Sequence, residues 1–253
     1  MNKNEKKSTV ITVTSPKGGI GKTFISISMA GMFAKEGYKT LIIDTDMGSG
    51  GVSVSLNTPN EKDIYTLSED IKNNKFDKIE NYIYQYNSNL FVLPAPKDPR
   101  KNSKFNSKIL NLILNSAQSI YDVIILDTTH ILNNINVTAL DISDTNLFVT
   151  SSDIVAVKNL KSIISILKDL DRSNYKIIKT DALYKGIHKL KDKDIKGIIN
   201  EDINYTITKE MYIKNYDNYL IKGQIPILDK KYKKLYNKIR QIGLEMLNTE
   251  RNK

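Results

Sequence analysis

Lys17-Gly18-Gly19-Ile20-Gly21-Lys22-Thr23 separates two runs of different periodicity, Val10-Ile11-Thr12-Val13-Thr14 before it and Phe24 to Ala34 after it. The first alternates as a β-strand does, and the second, built of apolar and small residues, reads as a buried helix. A glycine-rich turn between a strand and a helix N-terminus leaves backbone N–H groups free to face an anion. The helix dipole adds to that attraction. Lys22 is placed to reach terminal phosphates, and the Thr23 hydroxyl to ligate Mg²⁺. The segment therefore reads as a nucleotide phosphate site, with Gly18, Gly19, Ile20, Gly21, Lys22, Thr23 and Phe24 as its cradle.

Outward from this loop, strand-like and helix-like segments alternate. That is the signature of an α/β protein whose mostly parallel central sheet is covered by helices on both faces. Thr40 to Asp44, Asn89 to Pro94, Tyr121 to Asp127, Asn146 to Thr150 and Tyr175 to Lys179 are the strand candidates. Phe105 to Ser119 and Asp153 to Leu170 carry helical spacing. Strand C-termini in such sheets face the ligand crevice. Asp127 ends its apolar strand where a carboxylate can hold Mg²⁺, directly or through water. Asp44 and Asp46, flanking Thr45, end the second strand and come near the same phosphates.

The literal P-loop pattern wants glycine where this chain has Pro16, and the loop instead begins with Lys17. In this form it resembles the deviant Walker A loop of the ParA/MinD family of ATPases. The resemblance extends to Leu41–Gly48, Leu90–Pro96, Tyr121–Thr128, Ala139–Thr150 and Ile207–Leu228. It implies a P-loop NTPase of the deviant Walker A type that binds ATP and Mg²⁺ and forms an ATP-dependent homodimer. In that scheme Lys17 touches the phosphates held by the partner subunit, and Lys22 holds those of its own. Thr23, Asp44 and Asp127 support the metal, and Asp46 positions or activates the attacking water. An adaptor or cargo protein is the implied partner. Two departures stand out. The family usually places an adenine-binding Asn after its sixth strand, where this chain has Thr180-Asp181, and Thr128-Thr129-His130 replaces the usual Pro or Gly after Asp127. His130 reads as a loop residue.

The 253 residues suffice for one α/β domain spanning 1–253. No stretch approaches the ~18 consecutive apolar residues of a membrane span. The charged Met1–Lys7 leads straight into a strand rather than a leader, so a cytoplasmic location is expected. With no cysteine, a thiolate-held iron–sulfur cluster is excluded. Of the net charge of +10, most lies in residues 151–253, with 22 Lys/Arg against 13 Asp/Glu. That imbalance suits non-specific DNA and, less well, a membrane surface, although lysine-rich composition alone produces it too. The closing helix, Tyr232 to Leu247, aligns Leu235, Ile239, Ile242 and Met246, which reads as core packing rather than a membrane anchor. Thr180 to Glu201 is weakly patterned and is expected to be an insertion or mobile segment. Two competing functions share the phosphate site: a non-hydrolysing scaffold that uses nucleotide for assembly, and a bacterial tyrosine kinase. Fourteen scattered tyrosines and the Lys17-Gly18-Gly19 start speak against the second.

Overall fold

Strand β1 (Thr9–Thr14) lies inside an eight-stranded sheet of order β3-β4-β2-β5-β1-β6-β7-β8. The remaining strands are β2 (Thr40–Asp44), β3 (Tyr84–Gln85), β4 (Leu90–Leu93), β5 (Val123–Asp127), β6 (Thr145–Thr150), β7 (Tyr175–Thr180) and β8 (Tyr205–Ile207). All pairings are parallel except the short β3 against β4. The computed structural model describes residues 8–59, 61–98, 100–101, 105–181 and 190–251, the last three by backbone alone.

The strands read as nearly continuous Val/Ile/Leu runs because both of their faces are covered. Successive side chains divide between two layers. Ile11, Val13, Ile42, Val92 and Ile125 point to one core, where they meet Met29, Met32 and Phe33 of α1 (Lys22–Lys35) and Ile239 and Ile242 of α9 (Lys233–Arg251). Val10, Leu41, Ile43, Ile124 and Leu126 point to the other. There they meet Leu67 of α3 (Ile64–Lys72), Leu110 and Ile113 of α4 (Ser107–Ala117) and Ala139 of α5 (Asn134–Ile142). Phe148 and Ile177 extend this layer to Leu160 and Ile164 of α6 (Ile154–Asp169) and Ile195 of α7 (Asp192–Ile199). Two short helices, α2 (Gly51–Leu56) and α8 (Tyr216–Ile221), complete the described set.

The apolar stripe of α9 is buried against α1, as expected of a core helix. The approach is close: a Cβ on Gly243 would stand 2.3 Å from Met32 Cε and 2.9 Å from Phe33 Cζ. Among the described residues, no helix is long and apolar enough to cross a membrane.

The stretch expected to be an insertion resolves differently. Within Thr180–Glu201, residues 182–189 lie outside the described residues, while α7 packs Ile195 and Ile199 on α6. Four charged residues in an eight-residue helix hide that two-residue apolar face from any periodicity count.

Candidate active site

β1 is flanked by β5 and β6, and β5 by β2, so the loop after β1 leaves the sheet beside the ends of β5 and β2. The register sets Val13 beside Asp127, and Asp44 beside Asp127. Three sequence segments, with Asp127 83 positions beyond Asp44, thus converge on one edge, where parallel α/β sheets hold their ligands.

Gly19 and Gly21 adopt positive φ, +74° and +96°, a conformation that side chains resist. Gly21 is the N-cap of α1, and no side chain caps the first-turn amides. They remain available to an anion. The loop is tied from outside at both ends: the Asn159 amide donates to the Pro16 carbonyl (3.2 Å), and the Thr180 hydroxyl to the Ile20 carbonyl (3.3 Å).

Below the loop lies a buried polar cluster. Asp127 is fully buried and accepts hydrogen bonds from Thr23 Oγ1 (2.8 Å) and Ser26 Oγ (2.7 Å), with Lys22 Nζ at 3.3 Å. Asp44, equally buried, accepts from the backbone N–H groups of Asp46 (3.1 Å) and Val52 (3.0 Å). Burial, and then the neighbouring Asp127 charge, push the Asp44 carboxyl well above the usual carboxylate range, against the pull of the Val52 N–H. Two buried carboxylates with one lysine between them form a site deficient in positive charge. Its donors, one hydroxyl and two carboxylates, are hard oxygens that suit Mg²⁺. Among the described residues no group of three or more His/Cys/Asp/Glu could hold a metal alone. A metal held here would take its remaining ligands from phosphate and water, as Mg²⁺ usually does.

Asp46 stands nearer the surface and accepts from the Ser49 hydroxyl at 2.8 Å. Lys17 is turned out of the cluster, with its side chain 43% exposed and its ammonium 3.1 Å from Asp153 Oδ1. Asp153 is also the N-cap of α6, accepting from the Ala156 N–H at 2.9 Å. That N–H is the main reason its carboxyl titrates below the usual range, with Lys17 adding to the effect. His130 lies against the loop: a Cβ on Gly18 would be 3.5 Å from the imidazole Cε1 and Nδ1. The buried Asn136 amide braces the His130 segment by donating to the Thr129 (2.8 Å) and Ile131 (2.7 Å) carbonyls.

The structure thus gathers Lys22, Thr23, Asp44 and Asp127 into one cluster, sets Asp46 and Lys17 at its edge, and places Phe24 on the first turn of α1. Sequence reasoning missed Ser26, Asp153, Asn136 and Asn159. Asp153 had a legible signal, an Asp directly before a helical run; a lone Ser or Asn inside a helix has none.

Residues 8–180 match a family model described as "AAA domain". The septum site-determining protein MinD of Thermotoga maritima is 26% identical over 251 residues, covering 94% of this chain and 90% of that one. Against several other curated relatives the match spans less than two thirds of their length. The ParA family ATPase of Chlorobium tepidum superposes with a TM-score of 0.81 at 19% identity, covering 94% of this chain and 98% of that one. A MinC:MinD cell division complex from Aquifex aeolicus gives 0.72 at 25% identity, over 93% and 95% of the two chains.

Proposed function

The chain is a P-loop ATPase of the ParA/MinD family, and from that membership we propose that it works as an ATP-gated association switch that positions a cargo. Two copies sandwich ATP between their loops, and hydrolysis releases them. The cargo, reached through an adaptor protein, is either partitioning DNA or a cell-envelope machine. The relatives named for septum-site determination and cell division support positioning as the task.

Lys17 carries this reading. It opens the phosphate loop yet faces away from its own buried cluster, where Lys22 already supplies the cation. A lysine so placed serves phosphates presented by a second subunit. The segments touching the loop on either side expose apolar side chains, Ile131 (59%) and Leu132 (44%) beside His130, and Ile154 (42%) and Val155 (51%) beside Asp153. Apolar groups grouped around a polar mouth are characteristic of association surfaces.

In this mechanism the loop amides and Lys22 would hold the β- and γ-phosphates, and Thr23, Asp127 and Asp44 would hold Mg²⁺. When bound, the ion would neutralise phosphate charge. Asp46 accepts a hydrogen bond from the attacking water. The water oxygen bonds to the γ-phosphorus while the β–γ bridging oxygen leaves with ADP. Lys17 of the partner subunit stabilises the charge on the transferring group. Loss of the γ-phosphate removes the link between subunits. The basic second half of the chain supports non-specific DNA as the surface on which the dimer works.

Sedimentation and phosphate-release measurements with and without ATP test the scheme. ATP is expected to produce dimers, and Lys17→Ala to abolish both dimer and turnover while retaining nucleotide. A Lys17→Ala protein that dimerises and hydrolyses like its parent refutes it.

A further inference from the structure

The segment between Asp127 and α5 holds an imidazole against the opening of the phosphate loop. His130 is exposed, and its ring stands so close to Gly18 that a Cβ there would be 3.5 Å from both Cε1 and Nδ1. Gly18 directly follows Lys17, so the ring shares the mouth of the loop with that lysine. Among the described residues, neither ring nitrogen has a hydrogen-bond partner.

The backbone that carries the ring is braced from two elements. Thr128 is tied to β1 by its N–H (3.2 Å) and its hydroxyl (3.0 Å), which both donate to the Val13 carbonyl. β1 itself runs into the phosphate loop. On the other side, the buried Asn136 amide donates to the carbonyls of Thr129 and Ile131, one residue before His130 and one after it. Asn136 is fixed in turn, since its N–H donates to Asn133, the N-cap of α5, at 2.9 Å. Supporting hydrogen bonds of this kind hold a functional side chain in place before its ligand arrives.

Charge selects what the ring can meet. Beneath the loop, the buried Asp44 and Asp127 have only Lys22 between them, and Lys17 is engaged by Asp153 at 3.1 Å. A nucleotide adds further negative charge at its terminal phosphate. If Lys17 reaches the terminal phosphate of a second subunit, as the switch requires, the two terminal phosphates lie at the loop mouths, where His130 stands. An imidazole offers an N–H whether neutral or cationic, and the cation donates more strongly to a phosphoryl oxygen. We propose that His130 donates a hydrogen bond to the terminal phosphate of the nucleotide bound in its own chain, and so distinguishes ATP from ADP before a second subunit arrives. The inference rests on the reading of Lys17 and the phosphate loop, and adds to it a donor supplied in cis.

Calorimetric titration of the full chain with Mg²⁺–ADP and with the Mg²⁺ complex of the β,γ-imido analogue of ATP tests it. Lys17→Ala is compared with the Lys17→Ala, His130→Ala double variant, so that binding is read apart from dimerisation. Loss of the imidazole is expected to weaken the analogue at least about fivefold while ADP stays within about twofold. The ³¹P resonance of the bound γ-phosphate should move as well, with that of the α-phosphate unchanged. An unchanged ratio of the two affinities, or equal weakening of both nucleotides, overturns the proposal; equal weakening marks the ring as a brace of the loop alone. A γ-resonance that stays in place overturns it too. Failure of both nucleotides to bind Lys17→Ala would overturn the phosphate site and this proposal with it. Dimers that persist in Lys17→Ala, seen by sedimentation, refute the switch, and the affinity ratio still decides the role of His130.

Discussion

Lys17 and Ala156 share one acceptor atom, Asp153 Oδ1, which takes the ammonium at 3.1 Å and the first-turn N–H of α6 at 2.9 Å. The start of the phosphate loop and the start of a helix are held by a single oxygen. The two roles separate by substitution. Asp153→Ala removes cap and ion pair and is expected to cost about 1 kcal/mol, nearly all from the cap, because a half-exposed pair contributes little. Asp153→Ser restores the cap alone and should recover that stability. Both variants free Lys17 and are expected to lower the ATP concentration needed for dimerisation. Urea unfolding and sedimentation read the two effects independently.

Removing Lys22 leaves Asp44 and Asp127 buried without their cation. Lys22→Ala is expected to destabilise the ligand-free protein by about 3 kcal/mol, the usual consequence of breaking a buried pair from one side. Millimolar Mg²⁺ should restore part of the loss. A thermal melt with and without Mg²⁺ measures both, and nucleotide titration should show affinity reduced at least about 100-fold, as expected when a charged phosphate contact is lost.

Asp44 fixes the sign of a pH effect. Its folded-state carboxyl titrates well above the ordinary value, so between the two values the folded chain binds more protons than the unfolded one. Stability of the ligand-free protein is therefore expected to fall as pH rises through that window. Asp44→Asn removes this contribution. The difference between parent and variant in urea unfolding should change as pH rises above the ordinary carboxylate value, by about 1.4 kcal/mol for each unit of pKa elevation crossed. A pH-independent difference would refute the assignment.

Gly243→Ala drives a methyl group into Met32 and Phe33 at the α1–α9 contact. Overpacking of this kind typically costs about 1–3 kcal/mol. Because the contact lies in the core, the loss should appear in chemical unfolding, with ATP affinity within about twofold of the parent.

How much was legible in the sequence follows from the range of the signals. Loop, helix α1 and the Asp44 and Asp127 strands are written in contiguous residues, and the structure places them as read. The three-residue strand β8 depends on pairing with β7, and α7 on a surface offered by α6, so neither has a local pattern strong enough to declare it. The same holds within the site. Ser26 lies four residues after Lys22 and reads as helix filler, yet it donates to Asp127, 101 positions away. Asn159 and Thr180 matter only because the chain returns to the loop from β6 and β7. Chemistry carried by a motif is visible in one dimension; chemistry assembled by tertiary return is not.

The tethers at Pro16 and Ile20 have a kinetic consequence. A loop clamped at both ends, with its two left-handed glycines set, loses little conformational freedom when nucleotide arrives. Capture then resembles docking into a rigid mould, and the slow, regulated events shift to the exposed face around Lys17. Under the proposed switch, timing belongs to the contact Lys17 makes with a second copy, while the pocket is set beforehand.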